Sequence, residues 1–320
     1  MSLLVKTEPE TMPLERYLTT RLASSGSVSP HLLEQAVALL DTLLATHVLS
    51  NQSWLSFRIA VSFIDSRQIL VNVLKPLMQN IATAYSVSGW WWLHKADHNG
   101  EALRLRVQVP AAFTLPLRTY LLACFAESSF HANTVLYEPE VLLFGGPKGI
   151  DIAHLYFVAD SIFIADWLSS SAAPRTQSLP EALSLSSIFH ALRSAGLDVF
   201  EIWEVFTRVS QYRPIALTDS RNTSRADLLL ARIIDAPESV TACYAGEQRH
   251  LIMQYQQTLS DLGKLLNRSF FSGELDCGLK HFFVPLILFH WNRAGYSRQV
   301  QALLAHLTAS ELRRRVRGTT

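Results

Sequence analysis

The sequence predicts an α+β fold, in which a mixed or antiparallel sheet from the first half packs against a mainly helical second half. Three observations support this. Segments in which apolar residues alternate with polar ones occur in the first half, whereas apolar residues of the second half recur at helical spacing. With 320 residues, 49% of them hydrophobic and 17% charged, the chain can also bury a sizeable core, as one large domain or two ordinary ones.

The composition excludes several classes of partner and site. A formal net charge of +1 provides no basic field for nucleic acid. Cys124, Cys243 and Cys277 are odd in number and widely spaced, which argues against a disulfide framework and a zinc cluster and favours a reducing cytoplasm. No signal peptide is visible, and the longest apolar run, Phe282 to Phe289, is too short to span a membrane.

The N-terminal region is expected to contain a tail and a helix. Residues 1–13 are polar and are predicted to be a mobile tail, followed by a single domain over residues 14–320. Ser29 and Pro30 form a helix cap and first turn, before an apolar helical stripe of Leu33, Val37, Leu40 and Leu44.

Alternation then predicts the strands. From Trp54 to Phe63, every second residue is apolar, which is typical of a half-buried strand. A helix is predicted over Ile69 to Ala84. Two strands, Gly89 to His94 and Leu103 to Val109, are joined by the polar turn at residues 97–100 and form a hairpin.

Most later segments are predicted to be helical, and residues 169–180, rich in Ser, Ala and Pro, are a candidate internal linker. The predicted helices are Leu117 to Glu127, Ile150 to Leu168, Leu179 to Ala195, Val199 to Tyr212, Ser224 to Ile234, Glu247 to Leu266, Leu279 to Trp291 and Arg298 to Leu307.

Two arginines share one face of the second hairpin strand. Because side chains alternate along a strand, Arg104 and Arg106 lie side by side, opposite the apolar face. Such a pair suits a carboxylate, or amide oxygens that gain negative charge in a transition state. The alternative is a solvent-exposed polar face, or arginines paired with Glu138 and Glu140.

The stretch from Tyr137 to Pro147 is a candidate site edge. It is predicted to be an apolar strand that runs into a tight Gly-Gly-Pro turn and then into a helix containing His154. Glu138 and Glu140 are thereby placed beside a sharp reversal of the backbone, where carboxylates need partners.

A second cluster of polar residues lies at the end of the helix predicted to close at Trp291. His290 and Tyr296 are candidate acid or base groups, with Asn292 and Arg293 as orienting partners and Gly295 as the C-cap. The alternative is that Asn292 and Arg293 close the helix end and His290 is a hydrogen-bonded core residue.

Common nucleotide and metal motifs are absent from the sequence. Residues 145–149 lack the ending of a phosphate-binding loop, no GxGxxG follows a strand, and HExxH, GxSxG and clustered Cys/His sets do not occur. We therefore expect neither a cofactor nor a metal.

Five blocks, taken in order, resemble the thiopeptide-type bacteriocin biosynthesis family, which is related to the C-terminal elimination domain of lantibiotic dehydratases. They lie within residues 54–307: Gly89-Trp90-Trp91-Trp92, Leu103-Arg104-Leu105-Arg106, Tyr137-Glu138-Pro139-Glu140 to Gly145-Gly146-Pro147, Asp160-Ser161 and Phe289-His290-Trp291-Asn292-Arg293. The resemblance implies an elimination-domain-like fold.

The resemblance implies one of two activities. Eliminating members remove glutamate from a glutamylated Ser or Thr of a precursor peptide, whereas pyridine synthases join two dehydroalanines by a formal [4+2] aza-cycloaddition and expel water and the leader peptide. Eliminating members carry an arginine directly before the aromatic residue and the Gly-Gly pair. This chain has Leu143 there, which cannot pair with a departing carboxylate and favours the synthase. A non-catalytic precursor-binding scaffold is a third alternative.

For a synthase, the expected proton-transfer residues are Tyr296, His290 and Glu138. The expected substrate-binding residues are Arg104, Arg106, Trp92, Asn292 and Arg293, and the peptide would lie in a cleft between the arginine pair and the segment 290–296. The partner is a leader-bearing precursor peptide, and other enzymes that modify the same peptide are candidate partners. The sequence does not decide between a monomer and a homodimer. Nucleic acid and membrane partners are not expected.

Overall fold

The computed structural model describes residues 4–7, 10–13, 52–170, 179–215 and 224–318. The chain divides into two compact units, Met1–Gln52 and Ser53–Thr320. In the first unit, strand β1 (Leu4–Thr7) pairs antiparallel with β2 (Glu10–Pro13), inside the segment predicted to be a tail. The helix predicted after Pro30 and most of the predicted linker lie outside the described residues, and the predicted domain limits stay a prediction.

A four-stranded sheet in the order β4-β5-β3-β6 forms the β part of the second unit. Its strands are β3 (Gln52–Ala60), β4 (Gly89–Asp97), β5 (Gly100–Pro110) and β6 (Ala132–Thr134). The hairpin predicted from the polar turn is confirmed, since β4 pairs antiparallel with β5. The buried side chains of β5 include Leu103, Leu105, Val107 and Val109, as the alternation predicted.

The strand predicted over Trp54 to Phe63 is too long, because β3 ends at Ala60 and helix α1 (Phe63–Ile69) follows. The Ser62 side chain accepts a hydrogen bond from the Asp65 backbone N–H and caps α1, so the helix replaces the last predicted strand residues. A π-helical turn, Leu70–Leu74, joins α1 to α2 (Lys75–Ala84), so helical structure begins before the predicted Ile69.

Apart from a short helix at Glu238–Thr241 that the sequence did not predict, the remaining helices match the predicted segments to within a few residues at most ends, although the last extends well beyond its predicted limit. After a short 3-10 turn at Ala111–Phe113, they are α3 (Thr114–Glu127), α4 (Gly146–Ser169), α5 (Glu181–Ser194), α6 (Val199–Tyr212), α7 (Ser224–Asp235), α8 (Glu238–Thr241), α9 (Gly246–Phe271), α10 (Leu279–Ala294) and α11 (Arg298–Gly318). Gly295 ends α10 in the left-handed conformation, as predicted for a C-cap.

Helix α4 is the central helix of this unit. It packs against β4, α9 and α10, and α9 packs in turn against α5. The Ser161 hydroxyl accepts a hydrogen bond from the Trp92 backbone N–H at 3.2 Å, so α4 covers the edge of β4. Within the described residues, α4 alone is long and apolar enough to cross a membrane, but most of that segment is buried in the protein core, which makes it weak evidence for a span.

The strand predicted from Tyr137 to Phe144 is wrong. Residues 135–140 have no regular structure, and residues 141–145 form a turn. Proline has no N–H for a strand ladder, and the Val141 and Phe144 N–H groups donate to the Pro139 and Glu140 carbonyls, so the backbone closes on itself. The predicted helix containing His154 is confirmed as α4.

The Gly-Gly pair of this turn is required by both conformation and space. Gly145 and Gly146 have φ values of 77° and 92°. A Cβ on Gly145 would lie 2.5 Å from the Cys277 sulfur, and a Cβ on Gly146 would overlap the Asp276 carboxylate. The turn is therefore fixed against the segment that precedes α10.

Candidate functional site

A buried network of hydrogen bonds and ion pairs joins four helices. We call it the inner network; its members are Asp160 of α4, Ser184 of α5, Tyr255 of α9, and His290 and Arg293 of α10. Asp160 Oδ1 lies 2.8 Å from His290 Nδ1 and accepts a hydrogen bond from Tyr255 Oη at 3.0 Å. Asp160 Oδ2 accepts from Arg293 Nε at 2.6 Å. Ser184 Oγ lies 2.8 Å from His290 Nε2.

The Asp160 carboxylate is the anion at the centre of the inner network. Burial alone raises its pKa, but the charges and hydrogen bonds of His290 and Arg293 outweigh burial and hold the pKa at about 2. An ionised carboxylate can only accept hydrogen bonds. His290 Nδ1 therefore carries a hydrogen and donates a hydrogen bond to Asp160. Burial and the carboxylate together raise the pKa of Tyr255 well above its usual value, so the phenol remains a donor.

A cavity of about 30 Å³ lies beside the inner network, between α4, α5, α9 and α10. Tyr156 Oη, Ser187 Oγ and Arg293 Nη1 are buried in its lining without a hydrogen-bond partner among the described residues. The space is large enough for a water molecule with several polar neighbours.

Tyr296 lies in the interior next to this network. Its hydroxyl donates to the Leu179 carbonyl at 2.7 Å. Burial raises the pKa of Tyr296, while a hydrogen bond from Ser184 acts in the opposite direction. Ser184 thus contacts His290 directly and also affects the pKa of Tyr296.

A second group, which we call the outer cluster, lies on one face of the sheet. Its members are Trp54 of β3, Trp91 of β4, Arg106 of β5, Tyr137 of the irregular segment and His154 of α4. Tyr137 Oη lies 2.6 Å from His154 Nε2. The imidazole packs against Trp54, with ring centroids 4.8 Å apart, and against Trp91 at 6.4 Å. The Arg106 guanidinium lies 5.4 Å from the Trp91 ring centroid and 5.1 Å from that of Tyr137.

Burial dominates the electrostatics of the outer cluster. Desolvation lowers the pKa of His154 to about 4 and raises that of Tyr137. The imidazole is therefore neutral at neutral pH, and the phenol holds the proton that joins the pair. Desolvation lowers the pKa of Arg106 to about 10; Arg104 lowers it further, Tyr137 and Glu140 raise it, and the guanidinium stays charged.

Arg106 is neither exposed to solvent nor paired with Glu138 or Glu140. Its exposed fraction is 5%, and it forms no ion pair with a residue that the structure describes. Nη1 donates to its neighbouring carbonyl, that of Leu105, whereas Nε is buried without a partner in the described part of the chain. Arg104, two residues earlier on the same face of β5, is half-buried. A charged donor thus remains unpaired beside two aromatic rings.

The structure brings some of the predicted site residues together. Asp160 joins His290 to Arg293, and Ser184 contacts His290. The predicted cleft between the arginine pair and segment 290–296 is occupied by aromatic rings. Trp91 and Phe157 have centroids 5.1 Å apart and contact Arg106 and Arg293, respectively.

Other predicted residues lie elsewhere. The Glu138 side chain is exposed on the irregular segment. Asn292 is half-buried and accepts a hydrogen bond from Gln301 Nε2 at 2.9 Å. Trp92 is buried on the opposite face of β4 from Trp91, so its ring does not join the outer cluster. Their roles in substrate binding and proton transfer stay a prediction.

Several members of the two groups were not among the predicted site residues. Asp160 and Tyr137 lie in sequence blocks that carry the family resemblance, and His154 lies on the helix after the Gly-Gly-Pro turn, so the sequence signalled their segments. Ser184 and Tyr255 gave no signal, because their helices carry many other polar residues and no motif distinguishes these two. Within the described residues, no group of three or more His, Cys, Asp and Glu side chains is placed to bind a metal.

The sequence matches the family model described as lantibiotic biosynthesis dehydratase C-term over residues 54–312. No protein of curated function matches significantly. The structure is similar to the tRNA-dependent lantibiotic dehydratase MibB from Microbispora sp. 107891, with a TM-score of 0.61 and 16% identity, covering 82% of this chain and 28% of MibB. The chain thus spans little more than a quarter of that protein.

Two smaller solved structures are similar along nearly their full length. TsrL has a TM-score of 0.54 and 14% identity, covering 82% of this chain and 98% of TsrL. The pyridine synthase TbtD from thiomuracin biosynthesis has a TM-score of 0.55 and 14% identity, covering 81% of this chain and 97% of TbtD. These TM-scores indicate a shared fold despite the low identities, and the family match extends over well over half of the sequence. The chain belongs to the family of lantibiotic biosynthesis dehydratase C-terminal domains.

Proposed function

We propose that this protein is a thiopeptide pyridine synthase, which joins two dehydroalanines of a modified precursor peptide by a formal [4+2] aza-cycloaddition. Water and the leader peptide are lost as the macrocycle forms. The observation that carries the proposal is Leu143, which stands where eliminating members of the family have an arginine. Leucine has no donor for a departing glutamate carboxylate.

The position of Leu143 supports this reading. Phe144, the next residue, is buried against the rings of Phe157, Phe282 and Phe289, which fixes the turn. The Leu143 side chain is 37% exposed and that of Leu142 is 89% exposed. The turn therefore presents apolar surface to the solvent where an eliminating enzyme would need a cation.

The synthase reaction depends mainly on positioning. One dehydroalanine presents its preceding amide as an imidic acid beside the alkene of the other, and holding the two together removes much of the entropic barrier. Proton transfers are still needed, and His290, Tyr296 and Glu138 are proposed for them, with Arg104 and Arg106 binding the peptide backbone. The proposed partner is a leader-bearing precursor peptide, handled in the cytoplasm without a cofactor.

Glutamate elimination is the second candidate function. Arg106 favours it, because a buried guanidinium with an unpaired Nε can bind a carboxylate as well as an amide oxygen. A protein that binds the precursor without changing it is the remaining alternative.

One incubation separates these functions. The purified protein is mixed with a dehydrated precursor and, separately, with a glutamylated one, and the mass of each peptide is followed. Loss of water and leader from the first identifies a synthase, and loss of glutamate from the second identifies an eliminase. Binding without a mass change identifies a scaffold. Either of the last two results contradicts the proposal.

The role of Leu143 has a matched control. Leu143→Arg restores the cation expected of an eliminase, whereas Leu142→Arg adds the same charge to the neighbouring exposed position. We expect Leu143→Arg to slow macrocycle formation at least 10-fold more than Leu142→Arg, because a guanidinium there would compete for the peptide. Equal effects of the two variants would show that Leu143 does not decide the reaction.

A further inference from the structure

The outer cluster contains a hydrogen-bonded tyrosine and histidine to which the proposed function gives no role. We propose that Tyr137 and His154 are a catalytic proton-transfer pair, and that Arg106 and Trp91 bind the substrate amide oxygen on which negative charge develops. The inference rests on the proposed synthase function, because it names the groups that prepare the dehydroalanine amide for cycloaddition.

The pair is arranged to transfer a proton. Tyr137 Oη and His154 Nε2 are 2.6 Å apart, and the imidazole is held in place by the Trp54 and Trp91 rings. Desolvation raises the pKa of the phenol and lowers that of the imidazole, so the phenol keeps its proton at rest, and transfer requires the negative charge that develops on a bound substrate. The pair is uncharged at rest, and a short hydrogen bond already defines the path of the proton.

Two donors beside this pair have no acceptor. Arg106 Nε and Trp91 Nε1 are buried and without a hydrogen-bond partner among the described residues, and their side chains are 5% and 3% exposed. Buried donors are almost always paired in folded proteins, so both donors are available to an acceptor that a substrate brings. A substrate oxygen that becomes anionic during the reaction supplies that acceptor, and its charge offsets that of Arg106.

Two rings of the outer cluster are partly exposed. Trp54 and Tyr137 are half-buried, whereas Trp91, Arg106 and His154 are buried. The exposed parts of these two rings provide apolar contact for a conjugated dehydroalanine amide.

In the proposed step, His154 accepts a proton through Tyr137 and returns it after the ring has formed. The dehydroalanine N–H proton passes to Tyr137 Oη while the phenol proton passes to His154 Nε2, which leaves an imidate oxygen facing Arg106. The negative charge of the imidate raises the pKa of the nearby imidazole and favours the transfer. Once the two new carbon–carbon bonds have formed, His154 returns the proton through Tyr137 to this oxygen. The result is the neutral hydroxyl adduct that loses water, and no redox partner is needed.

Two conservative variants test the pair. Tyr137→Phe removes the hydroxyl but keeps the ring. His154→Gln keeps a hydrogen-bond acceptor for Tyr137 but cannot be protonated by the phenol. We expect each to lower kcat about 100-fold or more, with KM changed less than about threefold. Tyr120→Phe and His250→Gln, which alter an exposed tyrosine and an exposed histidine, are the controls. An unchanged kcat in both test variants would overturn the proposal.

Hydrogen exchange tests the pair without the cycloaddition and without relying on the folding of a variant. In a substrate analogue, alanine replaces the dehydroalanine that supplies the alkene, so the ring cannot close. The N–H of the remaining dehydroalanine can still exchange with deuterated solvent. Substoichiometric wild-type enzyme should accelerate that exchange by at least 10-fold, as measured by NMR.

The two proposals fail separately in this experiment. If the wild-type enzyme forms the macrocycle but does not accelerate exchange, the proton-transfer pair is wrong. Suppose instead that the wild-type enzyme accelerates exchange and the Tyr137→Phe variant does not, but no macrocycle forms from the bis-dehydroalanine substrate. The proton-transfer pair is then upheld and the synthase function is rejected.

Discussion

Asp160 Oδ1 and His290 Nδ1 lie 2.8 Å apart in the protein interior, although the two residues are 130 positions apart in the sequence. Asp160 also pairs with Arg293, one helical turn beyond His290. Two of the sequence blocks that identify the family therefore form one network, and any role of His290 in proton transfer depends on the carboxylate that orients it.

Replacing Asp160 should strongly destabilise the fold. Asp160→Asn leaves the Arg293 guanidinium buried without a counter-charge, and the free energy of unfolding should fall by about 3–5 kcal/mol. The double variant Asp160→Asn/Arg293→Met, which removes the orphan charge, should recover part of that loss. Urea denaturation at pH 7 measures both.

The control for this prediction is Asp166→Asn. Asp166 pairs with Lys75 at 2.9 Å on the partly exposed surface of α4, so its loss should cost less than about 1 kcal/mol. Similar losses for the Asp160 and Asp166 variants would show that the inner network is no more important to stability than a surface pair.

His154 should make the folded state sensitive to acid. Its pKa is about 4 in the folded protein against 6.5 as the ordinary value, so the unfolded chain takes up a proton first as the pH falls. Stability is therefore unaffected above about pH 6.5 and declines between pH 6.5 and 4, by up to roughly 3 kcal/mol.

This effect is measured as a difference between variants, because burial also lowers the pKa values of His94 and His190. Thermal or urea unfolding of His154→Gln across pH 4 to 8 should show a shallower decline than the wild-type protein. His250→Gln, at an exposed position of α9, should retain the wild-type slope. A wild-type slope in His154→Gln would mean that the imidazole is solvated rather than buried.

The Gly-Gly turn should not tolerate side chains. Gly146→Ala forces a positive φ on alanine and drives its Cβ into the Asp276 carboxylate. Gly273→Ala is the matched control, since Gly273 also has a positive φ of 75°, but a Cβ added there would lie in open space. The control should lose about 1 kcal/mol from backbone strain, and Gly146→Ala should lose clearly more. Equal losses in chemical denaturation would exclude steric contact as the reason for this glycine.

The predicted roles of Tyr296 and His290 in proton transfer can be separated from their structural roles. Tyr296→Phe keeps the ring and removes the hydrogen bond to the Leu179 carbonyl, which should cost about 1 kcal/mol of stability. If the phenol transfers protons, macrocycle formation from a bis-dehydroalanine substrate should fall about 100-fold or more. His290→Ala should show a similar fall in rate.

Tyr212→Phe, at an exposed position near the end of α6, is the control for loss of a phenol. Rates that remain unchanged in Tyr296→Phe and His290→Ala would remove both residues from the mechanism and leave the inner network as a structural feature.

Local patterns sufficed for most of the secondary structure. Alternation along β5 predicted its buried face, the polar turn predicted the hairpin, and helical spacing predicted α4 to α11 except the short α8, although it underestimated the length of α11. These predictions hold because periodicity and turn residues act over a few neighbouring positions. The strand predicted at Tyr137 failed because hydrogen bonds within the turn replaced a sheet ladder.

The family was also contained in the sequence, since the order of short blocks is a one-dimensional property. What only the tertiary structure decided is which polar residues meet. Arg106 shares a polar strand face with Arg104 in the sequence but is buried against Trp91 and Tyr137, while Ser184 had no signal at all and contacts His290. Such contacts depend on the packing of sheet and helices around one core, which brings together side chains that no local spacing relates.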